Sequence, residues 1–98
     1  RRNLMPDMLE TLQTIIADRQ ANPQPGSYTN KLLDKGREHI AQKVGEEGVE
    51  VVIAGLLQDD EALLGEFADL MYHLSVLLTI RGLTWEQVNQ TLAERHAP

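Results

Sequence analysis

Four carboxylates in two pairs, Glu47-x-x-Glu50 and Glu66-x-x-Asp69, are the residues of this 98-residue chain best suited to chemistry. Residues three apart lie on nearly the same face of a helix, so each pair can direct both acids to one side. The 15 residues between the pairs are enough to finish one helix, turn and return antiparallel. Like charges that meet there cannot all stay ionised unless a cation joins them. Because hard oxygen ligands favour Mg²⁺ or Mn²⁺, we predict a metal site formed by these four acids.

Such a site suits a substrate that carries phosphates. The cation would neutralise the oxygen charge that develops during phosphoryl transfer and would hold the attacking water in line. Four carboxylates can hold two ions, which lie roughly 3.5–4 Å apart in two-metal sites. EF-hand calcium binding is excluded, because these acids fall on predicted helices rather than in a loop centred on glycine.

Two neighbours of the first acidic pair are predicted to be catalytic. Glu46 would orient the water or act as a general base, although it could equally be a solvated partner of Lys43 or Arg37. Lys43 lies one turn before Glu47 and would bind the phosphates of the substrate or the released pyrophosphate. The alternative for Lys43 is a weak i,i+4 salt bridge to Glu47. The weaker candidates for phosphate binding are Lys31, Arg37 and His39.

Other polar residues near these motifs have both a structural and a functional interpretation. His73 follows Asp69 by one turn. A core histidine with satisfied hydrogen bonds is its simpler interpretation, and support of Asp69 from outside the ligand shell is the functional one. The segment Ser27–Thr29 could cap a helix and pack, or could touch the ribose or base of a substrate. Trp85 is most simply an aromatic anchor for the last helix.

The composition limits the possible classes of protein. A chain of this length forms one domain, placed here over residues 1–98, and 42% hydrophobic residues with few aromatics favour an aliphatic helical core. Outside the four site acids, the other 11 acids face nine bases, so the net charge of −6 comes largely from the site. No basic face for nucleic acid is visible. Without cysteine, a signal-peptide pattern or an apolar run long enough to span a bilayer, we expect a cytoplasmic protein that binds neither nucleic acid nor membrane.

Hydrophobic periodicity predicts an all-α bundle of four to five helices. Pro6 lies near the start of the first helix, and residues 22–27, with two prolines and a glycine, form the clear loop. Thr84 and Gln87 form a capping-box pattern for the last helix. The three long helices are expected at residues 7–22, 37–58 and 61–81, with Asp59-Asp60 in the turn before the last of them. A short second helix would be capped by Ser27 or Thr29 and ended by Gly36. The fifth helix would reach about residue 95.

Two of these helices break the amphipathic pattern at the predicted site. Glu47 falls inside the apolar stripe of the third helix, and Glu66 and Asp69 make one side of the fourth polar in its middle. Sequence rules that fail locally often fail at a functional site. The second half of the fourth helix is apolar on nearly every side, which indicates either a central helix or a subunit interface. The apolar stripe of the third helix consists of Ile40, Val44, Val51, Ala54 and Gly55.

Three stretches of the sequence resemble the phosphoribosyl-ATP pyrophosphatases, the enzymes of the second step of histidine biosynthesis. They are Ser27-Tyr28-Thr29, residues 40–50 and residues 66–74. The two acidic pairs alone mark the wider superfamily of all-α nucleoside-triphosphate pyrophosphatases. The run Lys-Val-Gly-Glu-Glu at residues 43–47, with Ser-Tyr-Thr before it and Asp-Leu-x-Tyr-His after it, narrows the resemblance to this family.

The resemblance implies Mg²⁺-dependent hydrolysis of phosphoribosyl-ATP, between its α and β phosphates, to phosphoribosyl-AMP and pyrophosphate. It implies that Glu47, Glu50, Glu66 and Asp69 are the metal ligands, because the superfamily binds its metal with its two acidic pairs. It also implies an all-α homodimer, which agrees with the apolar second half of the fourth helix. In many bacteria this domain is fused to the cyclohydrolase of the next step. Nothing in this chain resembles that cyclohydrolase, so we expect the domain to stand alone.

Three other functions compete with this one. A di-iron carboxylate protein is disfavoured because its Glu-x-x-His motif is absent: Gly36, Leu70 and Ala93 stand three residues before the histidines. A housekeeping pyrophosphatase for other nucleotides, such as non-standard dNTPs, shares the acidic motif and differs only in the flanking residues. A non-catalytic dimerisation module would have no reason to place Glu47 and Glu66 on apolar rows.

Overall fold

The structure is a computed structural model that describes residues 7–98. Within that range it contains helices and no strand, so the predicted all-α bundle is confirmed. The long helices begin and end within one residue of their predicted bounds, while Pro6 lies outside the described residues. The five helices are α1 (Met8–Ala21), α2 (Tyr28–Lys35), α3 (Arg37–Leu57), α4 (Asp60–Ile80) and α5 (Trp85–His96).

Side-chain caps explain where four of the helices begin. Each cap accepts a hydrogen bond from a backbone amide two or three residues further on, which satisfies a donor that the first turn leaves free. Ser27 rather than Thr29 caps α2, and Thr84 with Gln87 forms the predicted capping box of α5. The four capping residues are Asp7, Ser27, Asp59 and Thr84.

Two glycines allow the chain to turn sharply between helices. Gly36, with φ of 93°, ends α2 and directly precedes α3. Gly82, with φ of 71°, donates its amide to the carbonyl of Thr79 at 3.0 Å, and Leu83 donates to Leu78 at 2.9 Å. This pair of bonds is a Schellman motif, in which a residue with a side chain would be strained. The turn returns the chain toward α4, where α5 can pack.

The core lies where α1, α2 and α3 pack against α4. Its fully buried side chains, Ile16, Leu32, Ile40 and Val76, come from four different helices. The second half of α4 thus contributes to the core, as the central-helix option predicts, and its use as a subunit interface stays a prediction. Partly buried residues packed against this core are Leu12, Leu33, Tyr72, Leu77 and Ile80.

The predicted apolar stripe of α3 is correct except at its last position. Ile40 and Ala54 are buried, and Val44 and Val51 are half-buried, but Gly55 is exposed. A Cβ added at Gly55 would meet only the far end of Leu63, at 3.7 Å. The stripe stops at Ala54 because α3 then leaves the core and approaches its turn into α4.

A polar network fastens α5 to α1 and α4. The indole of Trp85 donates to Ser75 Oγ at 2.8 Å, and Ser75 donates to the Met71 carbonyl at 2.7 Å. The Trp85 amide donates to Gln13 Oε1 at 2.9 Å, while the Gln13 side-chain amide donates to Thr79 Oγ1 at 3.1 Å. Since Ser75 is fully buried, these bonds satisfy atoms that would otherwise destabilise the fold. Trp85 is the anchor that the sequence predicts.

Helix α4 is long and apolar enough, by length and composition, to cross a membrane; its mean hydropathy reaches 1.4. The expectation that no segment is long enough for this is therefore wrong, because it counted only uninterrupted apolar runs. Val76 in the second half of α4 belongs to the core, and two acids, Glu66 and Asp69, lie near the middle of the helix. An aspartate at the centre of a membrane span costs about 2.5–3.5 kcal/mol. Only 17% of this stretch is buried in the single chain, so the core accounts for part of its hydropathy.

Ile16→Ala is expected to destabilise the fold by about 2–5 kcal/mol, because it removes a fully buried side chain and leaves a cavity. Denaturant unfolding followed by circular dichroism measures the change. Ile15→Ala is the matched control: this neighbour is 42% exposed, so its loss should cost no more than about 0.5 kcal/mol. Equal effects of the two substitutions would contradict the placement of α1.

Candidate metal centre

Three of the four predicted metal ligands converge between α3 and α4. Glu47, Glu66 and Asp69 can each offer one carboxylate oxygen such that these oxygens lie within 4.8 Å of one another. Glu47 comes from α3 and the other two come from successive turns of α4, so the return of the chain through the turn at residues 58–59 brings them together. Three carboxylates at this separation form a donor set that suits a hard divalent cation.

Glu50 lies beside this cluster rather than in it. Its side chain is exposed, and it is not among the three residues whose oxygens converge in the described part of the chain. It is nevertheless near enough to Glu66 for its negative charge to raise the pKa of that carboxyl. The geometry thus groups three of the four predicted ligands and leaves the fourth at the rim.

Glu66 has the environment that most favours a cation. The residue is half-buried, and its Oε1 is a buried side-chain oxygen that has no hydrogen-bond partner among residues 7–98. Loss of solvent raises the pKa of Glu66, and the negative charges of Glu50, Asp69 and Glu47 raise it further. Buried polar atoms normally find a partner, and crowded carboxylates normally find a counter-charge. A divalent ion meets both requirements, so the residues present fit a metal.

Glu47 is buried, with 8% of its surface exposed, and it contacts His73. The Nδ1 atom of His73 lies 3.3 Å from Glu47 Oε1 and 2.9 Å from the backbone carbonyl oxygen of Asp69. Its Nε2 atom lies 3.1 Å from the Tyr28 hydroxyl. His73 is thus a buried histidine with both nitrogens partnered, and its contact with a predicted ligand is to the side chain of Glu47 rather than that of Asp69.

The two predicted catalytic residues, Lys43 and Glu46, pair with each other on α3. Lys43 Nζ lies 3.5 Å from Glu46 Oε1, and the Gln42 amide donates to Glu46 Oε2 at 3.1 Å. That bond from Gln42 lowers the pKa of Glu46, burial raises it and Lys43 lowers it again, with a net decrease. Burial lowers the pKa of Lys43, but Tyr28 and the acids Glu46 and Glu47 outweigh it, with a net increase. The structure places both groups outside the three-acid cluster and favours their charged forms.

A cluster of aromatic residues beside the site was not anticipated from the sequence. Tyr28 and Tyr72 stack with their ring centroids 6.0 Å apart, and the hydroxyl of Tyr72 is hydrogen-bonded to Thr29 Oγ1. The signal that could have found this cluster is the resemblance, which includes Ser27-Tyr28-Thr29 without assigning it a contact. The weaker phosphate candidates lie at the surface of α2 and α3: Lys31 and Arg37 are exposed, and His39 is half-buried.

A sequence model of the phosphoribosyl-ATP pyrophosphohydrolase family matches residues 9–96, nearly the whole chain. The chain belongs to this family. The family assignment made from the sequence motifs is therefore confirmed, together with membership of a class of hydrolases. The match includes both acidic pairs, so the three-acid cluster is part of the family's domain.

Relatives of two kinds resemble the chain. A phosphoribosyl-ATP pyrophosphatase from Sulfurisphaera tokodaii is 48% identical over 91% of this chain and 95% of its own length. Another from Sphingopyxis alaskensis is 50% identical, over 94% of this chain and 85% of its own. A histidine biosynthesis bifunctional protein, HisIE, from Xanthomonas axonopodis pv. citri is 53% identical over 90% of this chain, which spans only 43% of that relative.

Glu66→Gln is expected to raise the melting temperature measured with chelator at neutral pH, because it removes one of the crowded charges. The raised pKa means that folded wild-type protein binds more protons than the unfolded chain between the ordinary glutamate pKa, about 4.3, and the raised value. Glu66 therefore contributes stability below this window and loses it as the pH rises through it. The difference in melting temperature between Glu66→Gln and the wild-type protein should vanish once the pH falls below the ordinary glutamate pKa.

Glu61→Gln is the control for this measurement, since Glu61 is exposed in the first turn of the same helix. Its charge interacts favourably with the helix N-terminus, so its removal should lower the melting temperature slightly. A lower melting temperature for Glu66→Gln at neutral pH would show that its carboxylate is not under repulsion.

Proposed function

We propose that this chain hydrolyses phosphoribosyl-ATP to phosphoribosyl-AMP and pyrophosphate in histidine biosynthesis, as a cytoplasmic, Mg²⁺-dependent enzyme that binds neither nucleic acid nor membrane. Relatives about half identical in sequence bear the name of this activity. The observation that carries the proposal is the convergence of Glu47, Glu66 and Asp69 oxygens within 4.8 Å, inside a domain that matches the family.

Glu47, Glu66 and Asp69 would hold the cation, and Glu50 would join them from the rim. When bound, Mg²⁺ supplies neutralisation of the charge that develops on phosphate oxygens and an oriented water; Mn²⁺ suits the same donors. The unpaired Oε1 of Glu66 and its crowding by neighbouring acids support this assignment. His73 Nδ1 lies 3.3 Å from Glu47 Oε1 beside the site.

Lys43 would bind a phosphate of the substrate or the released pyrophosphate. Its raised pKa keeps the ammonium charged, and its pair with Glu46 is solvent-accessible and therefore weak enough for a phosphate to displace. Glu46, with its lowered pKa, is ionised at neutral pH and would orient water or accept its proton. On α3, Lys43 lies one turn before Glu47, and Glu46 directly precedes Glu47 in the sequence.

Glu47→Gln is expected to lower the rate of pyrophosphate release from phosphoribosyl-ATP by more than about 100-fold, since even residues behind metal ligands contribute 10–100-fold. The assay is run with Mg²⁺ and with chelator, and circular dichroism checks that the helix content is kept. Glu38→Gln is the control, because Glu38 is an exposed acid at the start of the same helix.

Normal turnover by Glu47→Gln would remove Glu47 from the site. The same assay separates this activity from its alternative. Faster metal-dependent release from a dNTP than from phosphoribosyl-ATP would assign the chain to the housekeeping pyrophosphatases.

We also propose that the chain forms a homodimer through an apolar face of α3. This face consists of Val49, Val52, Ile53 and Leu56, which share one side of the helix and are 43–78% exposed. Leu64 and Phe67 on α4 are exposed as well. Monomeric proteins rarely leave so many neighbouring large apolar side chains in water, and a second copy offers a self-complementary surface. The support for this proposal comes from the exposed apolar residues of α3, with Leu64 and Phe67 of α4 beside them.

Val52→Glu is expected to convert the dimer to monomer, because it puts a charge in the centre of the apolar face at a position that is 58% exposed in the single chain. Light scattering should report a fall from twice to once the chain mass of 11.0 kDa. Gln90→Glu, which adds the same charge on an exposed position of α5, should remain dimeric. A monomeric wild-type protein at micromolar concentration would contradict the proposal.

A further inference from the structure

We propose that His73 is a positioning residue for the metal centre, which fixes the Glu47 carboxylate, and that Tyr28 fixes His73 in turn. The inference rests on the proposed metal-dependent function and goes beyond it, because it names what orients a ligand rather than which residues bind. His73 is 5% exposed and lies on α4, Glu47 lies on α3, and Tyr28 begins α2. A hydrogen bond from Tyr28 to His73 and a 3.3 Å contact from His73 to Glu47 thus join three helices at the site.

The partners of His73 determine the direction of each hydrogen bond. Its Nδ1 atom lies 2.9 Å from the Asp69 carbonyl oxygen, which can only accept, so Nδ1 carries a hydrogen. The Glu47 carboxylate oxygen lies 3.3 Å from the same atom, close enough for an electrostatic contact with this N–H group. On the other side, the Tyr28 hydroxyl lies 3.1 Å from Nε2 and donates to it when the ring is neutral. Tyr28 thereby selects the tautomer in which Nδ1, the ring atom nearest Glu47, carries the hydrogen.

Fixing Glu47 has a specific benefit for a metal site built from two helices. The last torsion of a glutamate side chain is broad, so an unrestrained carboxylate samples many orientations. The contact of Nδ1 with Oε1, at 3.3 Å, would restrain this torsion while the second oxygen stays available. Because Glu66 and Asp69 are on the same helix as His73, the contact would also set Glu47 relative to those two acids. Residues that orient ligands in this way strengthen metal binding.

Tyr28 is itself held in place, although 51% of its surface is exposed. Its ring stacks on Tyr72, and the ring of His73 meets Tyr72 edge-on with a centroid separation of 5.1 Å. The neighbouring residue, Thr29, hydrogen-bonds the Tyr72 hydroxyl. These contacts give the start of α2 a fixed position against α4, so Tyr28 can restrain His73 from the solvent side.

Three substitutions separate positioning from packing. His73→Asn keeps an N–H donor close to the Nδ1 position, His73→Gln moves the amide to the Nε2 position, and Tyr28→Phe removes only a hydroxyl. The readouts are the dissociation constant of Mn²⁺ for the full chain without substrate, by calorimetry, and the melting temperature with chelator. Turnover is measured as kcat and KM separately. Ser75→Ala is the control: it removes a buried polar group of the same helix that bonds Trp85, away from the acids.

His73→Gln is expected to weaken Mn²⁺ binding by about 10–100-fold, His73→Asn by less than about threefold, and Tyr28→Phe by an intermediate factor. Ser75→Ala should lower the melting temperature and leave the dissociation constant unchanged. Equal Mn²⁺ affinities for the Asn and Gln variants, or losses of affinity that follow the melting temperatures across all four proteins, would overturn the positioning role. Failure of the wild-type protein to bind Mn²⁺ would instead overturn the metal-dependent function together with this inference.

Discussion

Mutual repulsion among three carboxylates is the constraint around which this molecule is arranged. Glu47, Glu66 and Asp69 have carboxylate oxygens within 4.8 Å of one another, and burial together with the charges of neighbouring acids raises the pKa of Glu66. Glu47 is buried on α3 and the other two are carried by α4, whose second half contributes to the core, so packing fixes the backbone positions of all three acids. Packing elsewhere therefore maintains an unfavourable arrangement, which a divalent cation makes favourable.

Helix α3 has two apolar sides with different environments. One side joins the core through Ile40 and Ala54 and is interrupted by Glu47, and another carries the exposed apolar residues from Val49 to Leu56. The proposed dimer would cover the second side and brace α3 where it presents Glu47 to the site. The proposed metal centre and the proposed interface thus both use α3. Loss of the partner subunit would therefore remove support from the helix that carries Glu47.

The helices and the acidic pairs could be predicted because they depend on local sequence. Caps, glycines and apolar periodicity set the helix bounds, and Glu47 stood out because it interrupts an apolar row. The place of Glu50 could not be predicted: residues three apart still differ in direction by about 60° on a helix, and the rotation of α3 against α4 decides which acid points inward. The contacts of His73 with Glu47 and Tyr28 join residues far apart in sequence, which periodicity does not reveal.

The most direct test of the crowded site is the number of protons released when Mg²⁺ binds. Calorimetric titrations of the wild-type protein are run at one pH below neutrality in two buffers of different ionisation enthalpy. Because burial and the charges of neighbouring acids raise the pKa of Glu66, metal binding is expected to displace protons, and the observed heat should differ between the buffers in proportion to their ionisation enthalpies. Identical heats in both buffers would mean that the acids are already ionised and apart, which contradicts the account.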